Sequence, residues 1–199
     1  MQSVPDVQSV PKKAEPDQSS ASASTENAKS PAALVPTGYK ILEEVKGDLN
    51  KDGLDDYVFV ITGKQDESNR GLVVAFNKGE SYENILENRS IYSGIVSMKV
   101  TIKKGVLSIV VGETFADGHR YEEYKFRFQN SDFELIGYDY SEKNGGSVSN
   151  RSMNLLSNKM QTKEDGDEKW NDIVIKEPIK LRKINNFERF DVTNYISVK

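Results

Sequence analysis

Val96-Ser97-Met98-Lys99-Val100-Thr101-Ile102 alternates apolar and polar residues without a fault; Lys103-Lys104-Gly105 follows, and Val106 to Val111 returns as a nearly continuous apolar run. Side chains of an extended chain point to opposite faces in turn, so a period of two marks a strand with one buried face. Two such runs joined by a short glycine-containing turn read as a hairpin. The same reading extends C-terminally. Tyr124, Phe126 and Phe128 share one strand face while Lys125, Arg127 and Gln129 share the other, Asn130-Ser131-Asp132 supplies a turn, and Phe133 to Tyr140 comes back. The alternation changes phase between Leu135 and Ile136, which predicts a bulge or a strand buried on both faces.

Working toward the N-terminus, Tyr57 to Thr62 and Leu72 to Phe76 are β-branched and aromatic runs of strand length with successive apolar residues, the pattern of central strands. Met153, Leu155 and Lys180 to Ile184 suggest weaker strands. Tyr82, Ile85, Leu86 and Arg89 have helical spacing over a short span, and Phe187 to Ile196 has room for a turn of helix. The expected fold is mainly β: an antiparallel sheet of consecutive hairpins, a strongly twisted or wrapped meander with little helix.

Composition divides the chain near Gly38. Pro5, Pro11, Pro16, Pro31 and Pro36 precede it, whereas all 14 glycines and every aromatic residue lie from Gly38 onward. Residues 1–37 have too little apolar surface to offset the entropy of ordering, and they read as a disordered Ser/Ala/Pro-rich tether or a remnant of processing. Residues 38–199 read as one β-rich domain. With 27 Lys and Arg against 31 Asp and Glu, no cysteine and one histidine, the chain offers no disulfide framework, cysteine nucleophile, histidine metal cluster or basic surface for nucleic acid. No apolar run approaches the length of a transmembrane helix, and the N-terminus lacks the charged and apolar regions of a signal peptide. A polar stalk ahead of a compact β domain suits an exported bacterial lipoprotein. The expected location is therefore extracytoplasmic, periplasm or cell surface, with any lipid anchor carried on a removed N-terminus.

One constellation carries chemistry. Asp48-Leu49-Asn50-Lys51-Asp52-Gly53-Leu54-Asp55-Asp56 places oxygen-bearing side chains at loop positions one, three, five and nine with glycine at six, the spacing that wraps backbone around a hard cation. Asp48, Asn50 and Asp52 would each supply a side-chain oxygen, Leu54 its main-chain carbonyl, and Asp56 would close the site directly or through water. Oxygen-only ligands on a flexible loop select calcium. Position twelve is Phe59 rather than the bidentate Glu of the helix-loop-helix calcium hand, and the segment leaving the loop is strand-like. A strand-to-strand loop with affinity toward the roughly millimolar, extracellular end of the calcium range is expected. The alternative is an Asp/Asn/Gly turn that binds nothing.

The string Gly47 to Val60 resembles the calcium loop of FG-GAP and VCBS-type repeats of integrin-like propellers and many exported bacterial proteins. That resemblance implies that Asp48, Asn50, Asp52 and Asp56 hold the ion. No second copy follows, so a multi-bladed propeller is not expected. The order of the loop, Leu72 to Phe76, Tyr124 to Gln129 with Phe133 to Tyr138, and Ser152 to Leu156 is similar to a group of exported bacterial proteins and lipoproteins that brings no activity with it.

Other candidates are weaker. His119 lies in the turn-like Ala116-Asp117-Gly118-His119-Arg120, and Trp170 in the acidic stretch Glu164 to Asp172, which reads as a solvated excursion. Tyr121, Tyr124, Tyr138 and Tyr140 are either core residues or an aromatic platform for sugar. Glu113, Glu122 and Glu123 are the carboxylates from which a glycoside hydrolase pair would be drawn. Asn144-Gly145-Gly146 is a turn. The function expected is a non-catalytic, monomeric, exported calcium-binding β module contacting a protein or a cell-surface glycan. The alternatives are a polysaccharide-acting acid/base hydrolase and a periplasmic inhibitor or immunity-type protein.

Overall fold

The structure, a computed structural model, describes residues 27–93 and 97–199. Val96, first of the alternating residues quoted above, and residues 1–26 of the expected tether lie outside the described residues. The alternating run forms β6 (Ser97–Lys103), paired through a turn at Lys104 and Gly105 with β7 (Val106–Phe115). Both turn residues have positive φ, 53° and 73°, which twists the two-residue loop to match the strands.

Each following strand pairs with the one before it: β8 (Gly118–Gln129), β9 (Asp132–Asn144), β10 (Ser147–Asn154), β11 (Lys159–Glu164) and β12 (Asp167–Ile175). With β13 (Ile196–Val198) on β12, they make an eight-stranded antiparallel sheet. The other sheet has five strands: β2 (Tyr39–Gly47), β3 (Asp56–Gly63), β4 (Asn69–Asn77) and β5 (Tyr82–Ser93) in hairpin succession, with β1 (Asn27–Ala28) on the far edge of β5. The expected meander thus exists as two sheets, one of them strongly curled as a half-barrel.

The main core lies between the sheets. Val58, Val60, Leu72, Val74 and Leu86 from the smaller sheet meet Leu107, Ile109, Tyr124, Phe126 and Met153 from the larger. A second cluster, Leu34, Phe59, Ile61, Val73 and Ala75, occupies the opposite face of the smaller sheet. β3 and β4 are therefore covered on both faces, which is why their sequences run apolar without alternation.

The cover of the second cluster corrects the domain boundary. Residues 27–37, assigned by composition to the tether, supply β1 and a 3-10 turn at Pro31–Leu34, and Leu34 is buried against β3 and β4. One buried leucine contributes about 1.5–3 kcal/mol, enough to seat a short proline-containing segment.

Three further readings change. Lys180 to Ile184 is not a strand: Leu181–Lys183 is a 3-10 turn whose Leu181 and Ile184 plug the core, and only Lys180 bridges to Glu134. The helical spacing around Tyr82 belongs to β5. The β4–β5 register slips between Val74 and Ala75, so Leu86 faces Val74 while Asn84 faces Ala75, and Ile85 is the extra residue. That bulge sets two apolar residues side by side and imitates a helical period. The acidic stretch around Trp170 is the β11–β12 hairpin, turned at Asp165 and Gly166 with positive φ. Elsewhere the local signals match the structure. The β8–β9 register shifts so that Ile136 is bulged, where the alternation changes phase. Phe187–Arg189 and Val192–Tyr195 are 3-10 turns. No helix among the described residues is long and apolar enough to cross a membrane.

Candidate metal loop

Residues 48–55 connect β2 to β3, so the loop joins strand to strand. Leu49, at loop position two, is buried in the main core and anchors the loop, while Lys51 to Asp55 are exposed. Lys51 and Gly53 take positive φ of 64° and 87°. Glycine pays no Cβ penalty there, which accounts for its place at position six.

The polar side chains fold the loop on itself. Asp48 accepts the N–H of Asp52 at 3.1 Å and of Gly53 at 3.0 Å; Asn50 Oδ1 accepts the N–H of Asp52 at 2.9 Å; Asp52 accepts the N–H of Leu54 at 2.9 Å and the amide of Asn50 at 2.9 Å. The Asn50 and Asp52 contacts to backbone two residues on are Asx turns, in which a short acid or amide replaces a backbone carbonyl as acceptor, while Asp48 reaches four and five residues ahead to close the loop. The Leu54 N–H, with the Asn50 amide beside it, holds the Asp52 carboxyl below its usual range.

Asp56 is placed differently from its companions. It has no exposed surface, and its oxygens accept N–H groups from Leu49 at 2.8 Å, Asn50 at 3.4 Å and Asn77, at the end of β4, at 3.0 Å. It is the post on which the loop and the β4 end are hung. Burial raises its pKa against those hydrogen bonds, with the Asp52 charge adding to the rise. Lys78, just beyond β4, acts on Asp52 in the opposite sense.

The donor set suits a hard cation in its chemistry, since every candidate atom is oxygen. Among the described residues no three His, Cys, Asp or Glu side chains are gathered to hold a metal ion. Asp48, Asn50 and Asp52 with the Leu54 carbonyl would be the ligands of the exposed turn. Asp56 would reach an ion only through lone pairs left over from its three amides. Sequence reasoning missed Leu49 and Asn77, because neither is a ligand type and the partnership of Asn77 with Asp56 spans 21 residues.

The remaining candidates separate by sheet face. Tyr124 and Tyr138 are core residues, opposite each other on β8 and β9, and both hydroxyls donate to Glu122, the second at 3.1 Å. Tyr140 packs partly against the same core and donates to Glu142. Tyr121 lies on the outward face. Glu122 and Glu123, adjacent in a strand, point to opposite faces. Glu113 is ion-paired to Arg120 at 3.3 Å and shares with Glu122 a cavity of about 20 Å³. That is room for one water and not for a sugar ring. His119 stands at the start of β8 with its ring 5.1 Å from that of Tyr121. Gly145 and Gly146 form the β9–β10 turn.

Compared with protein-family models, curated proteins and solved structures, the chain matches none.

Proposed function

We propose that this protein is an exported, non-catalytic β module whose β2–β3 loop binds one calcium ion, and that it contacts a protein or a cell-surface glycan. The observation that carries the reading is the conformation of residues 48–54. Side-chain-to-backbone hydrogen bonds hold the acceptor oxygens of positions one, three and five around one short turn, on a loop pinned at Leu49 and Asp56. Four acids in nine residues, Asp48, Asp52, Asp55 and Asp56, repel one another unless a cation offsets them. An ion there would fix how β3 enters the sheet, coupling binding to stability. An inhibitor or immunity-type role is the protein-contact form of this reading. For the hydrolase alternative, Glu113 and Glu122 share only the water-sized cavity, and Glu123 faces away from them.

Calcium titration with melting curves tests it. With a dissociation constant of about 1 mM, calcium at about ten times that value adds about 1.4 kcal/mol, a rise of about 3–6 °C over the chelated protein. Asp48→Ala and Asn50→Ala should each erase the difference. Identical melting curves in calcium and in chelator, with no binding heat, would overturn the proposal.

A further inference from the structure

The outward face of the larger sheet carries a feature that the loop does not explain. The pairing registers line up Val110, Glu123, Asp139, Ser152, Gln161 and Trp170 as one row crossing β7 to β12. A neighbouring row runs Tyr121, Ser141, Asn150, Lys163 and Glu168. Between them lies a depression of about 480 Å³, lined by residues of both rows, within the size range of small-ligand sites.

Its aromatic wall is held in place. The Tyr121 ring lies on Gly112, where a Cβ would come within 2.0 Å of the ring, and its hydroxyl shares a 2.9 Å hydrogen bond with Thr114. Gly112 thus serves as the seat of a fixed ring. One strand beyond the lining, at the end of the first row, Trp170 is 64% exposed, its indole N–H bonded to Glu168 at 2.7 Å, and it borders a separate depression with Lys159 and Asp172. Between the two aromatics the floor offers hydroxyl, amide and carboxylate groups.

We propose that this trough binds a neutral oligosaccharide, with Tyr121 and Trp170 as stacking surfaces and Asp139, Asn150, Ser152 and Gln161 as hydrogen-bonding partners for sugar hydroxyls. The lining acids Glu123 and Asp139 are both ion-paired to Lys125, so neither is left as a free carboxylate to draw a cationic ligand. An extended peptide is disfavoured because the floor consists of strands already paired on both sides, leaving no edge to augment. An uncharged ligand rich in hydroxyls, with flat apolar faces, fits the paired acids, the polar floor and the fixed Tyr121 ring. The proposal selects the glycan from the two partner classes named above, and it stands whether or not the loop holds an ion.

Trp170 is the chain's one tryptophan and the cross-strand partner of the lining Gln161, so its fluorescence reports on a ligand long enough to span the trough, with calorimetry covering a shorter one. The full chain is titrated with cellotetraose, tetra-N-acetylchitotetraose and maltotetraose, with tetragalacturonate as polyanion and a Ser/Asn-rich octapeptide as peptide control, each in calcium and in chelator, with calorimetry in parallel. At least one neutral tetrasaccharide should shift the fluorescence with a dissociation constant of about 1 mM or tighter in both conditions. Tyr121→Ala should weaken binding about tenfold, while Tyr121→Phe, which keeps the ring, should stay within about twofold. Gln161→Ala changes a side chain in the middle of the trough and carries the test if Tyr121→Ala fails to fold; it should weaken binding severalfold. Absence of binding by all three neutral sugars, preference for tetragalacturonate or the peptide, or affinity unchanged in folded Tyr121→Ala and Gln161→Ala would overturn the assignment. Binding that appears only in calcium would move the site to the metal loop and overturn it equally. A calcium-insensitive melting curve alongside sugar binding would sink the metal reading and leave this one standing.

Discussion

Asp56 has no exposed surface, and three backbone N–H groups from two separate segments converge on its carboxylate. Burying a charge is costly unless it is fully hydrogen-bonded, and removing the acceptor strands every donor that used it. Asp56→Ala is therefore expected to cost about 3 kcal/mol or more, because each orphaned buried donor costs about 1–3 kcal/mol. Asp56→Asn, which keeps one acceptor oxygen, should cost less. Urea unfolding of the three chains checks this, and a loss below about 1 kcal/mol for the alanine variant would show that water replaces the carboxylate without penalty. The same substitutions separate two roles for this residue. If Asp56 acts only as a post, Asp56→Asn keeps the calcium response of the exposed turn.

At the scale of elements, turns and bulges set which face each strand presents. Asn130 and Ser131 connect β8 to β9 as a two-residue turn, both with positive φ, 51° and 59°. Asparagine tolerates that region, whereas serine has a Cβ and no compensating preference there. Ser131→Gly should stabilise the protein by about 0.5–1 kcal/mol, the relief of a left-handed residue less the entropy that glycine adds to the unfolded chain. A chemical-denaturation midpoint that falls in this variant would contradict the argument. The turn matters beyond itself because the bulge at Ile136 follows it on β9. Together they set Tyr138 inward and Asp139 outward, and so decide which residues of β9 enter the trough.

Two sheets and a C-terminal segment close around the main core, and tyrosines gather where those parts meet. Tyr124 packs on Phe187 of the C-terminal segment with ring centroids 4.4 Å apart, and Tyr92 of the smaller sheet borders the same region beside Glu188. Burial, with Glu188 adding to it, pushes the Tyr92 hydroxyl up to about 12. Burial and the Glu142 hydrogen bond push Tyr140 up to about 12, and burial beside Glu122 moves Tyr124 and Tyr138 higher still. A group whose pKa is raised on folding keeps its proton in the native state while the unfolded chain loses it. The native state then binds more protons, and stability falls as pH rises. The contribution is complete below the ordinary tyrosine value of 10.0 and declines above it. Denaturant midpoints should hold steady near neutrality and drop steeply above about pH 10, with part of the tyrosinate absorbance appearing only on unfolding. Lys125, also raised, loses stability in the same direction, so a Tyr92→Phe/Tyr140→Phe variant isolates the tyrosines and should fall less steeply. A native titration in which every tyrosine ionises near 10 would contradict the buried network.

What the chain carried in plain view was local. Alternation at 97–102, turn residues at Lys104-Gly105 and Gly145-Gly146, the phase change at Ile136 and the oxygen spacing of 48–56 are each set by a few neighbouring side chains and the geometry of one strand or turn. That made the hairpins and the candidate loop legible, but not the partition of hairpins into two sheets. Composition misplaced residues 27–37, because Leu34 gains its burial from β3 and β4 and not from its Ser/Ala/Pro surroundings. Spacing misread β5, because a bulge is defined by the opposite strand. Asp56 reads as the fourth side-chain ligand, and it is packing that turns its carboxylate inward onto Leu49, Asn50 and Asn77. Tyr121 and Gln161, 40 positions apart in the chain, line one trough only because the registers of β8 through β11 accumulate without slipping on that side. Pairing is a relation between distant segments, and its free energy is visible only when both partners are in place.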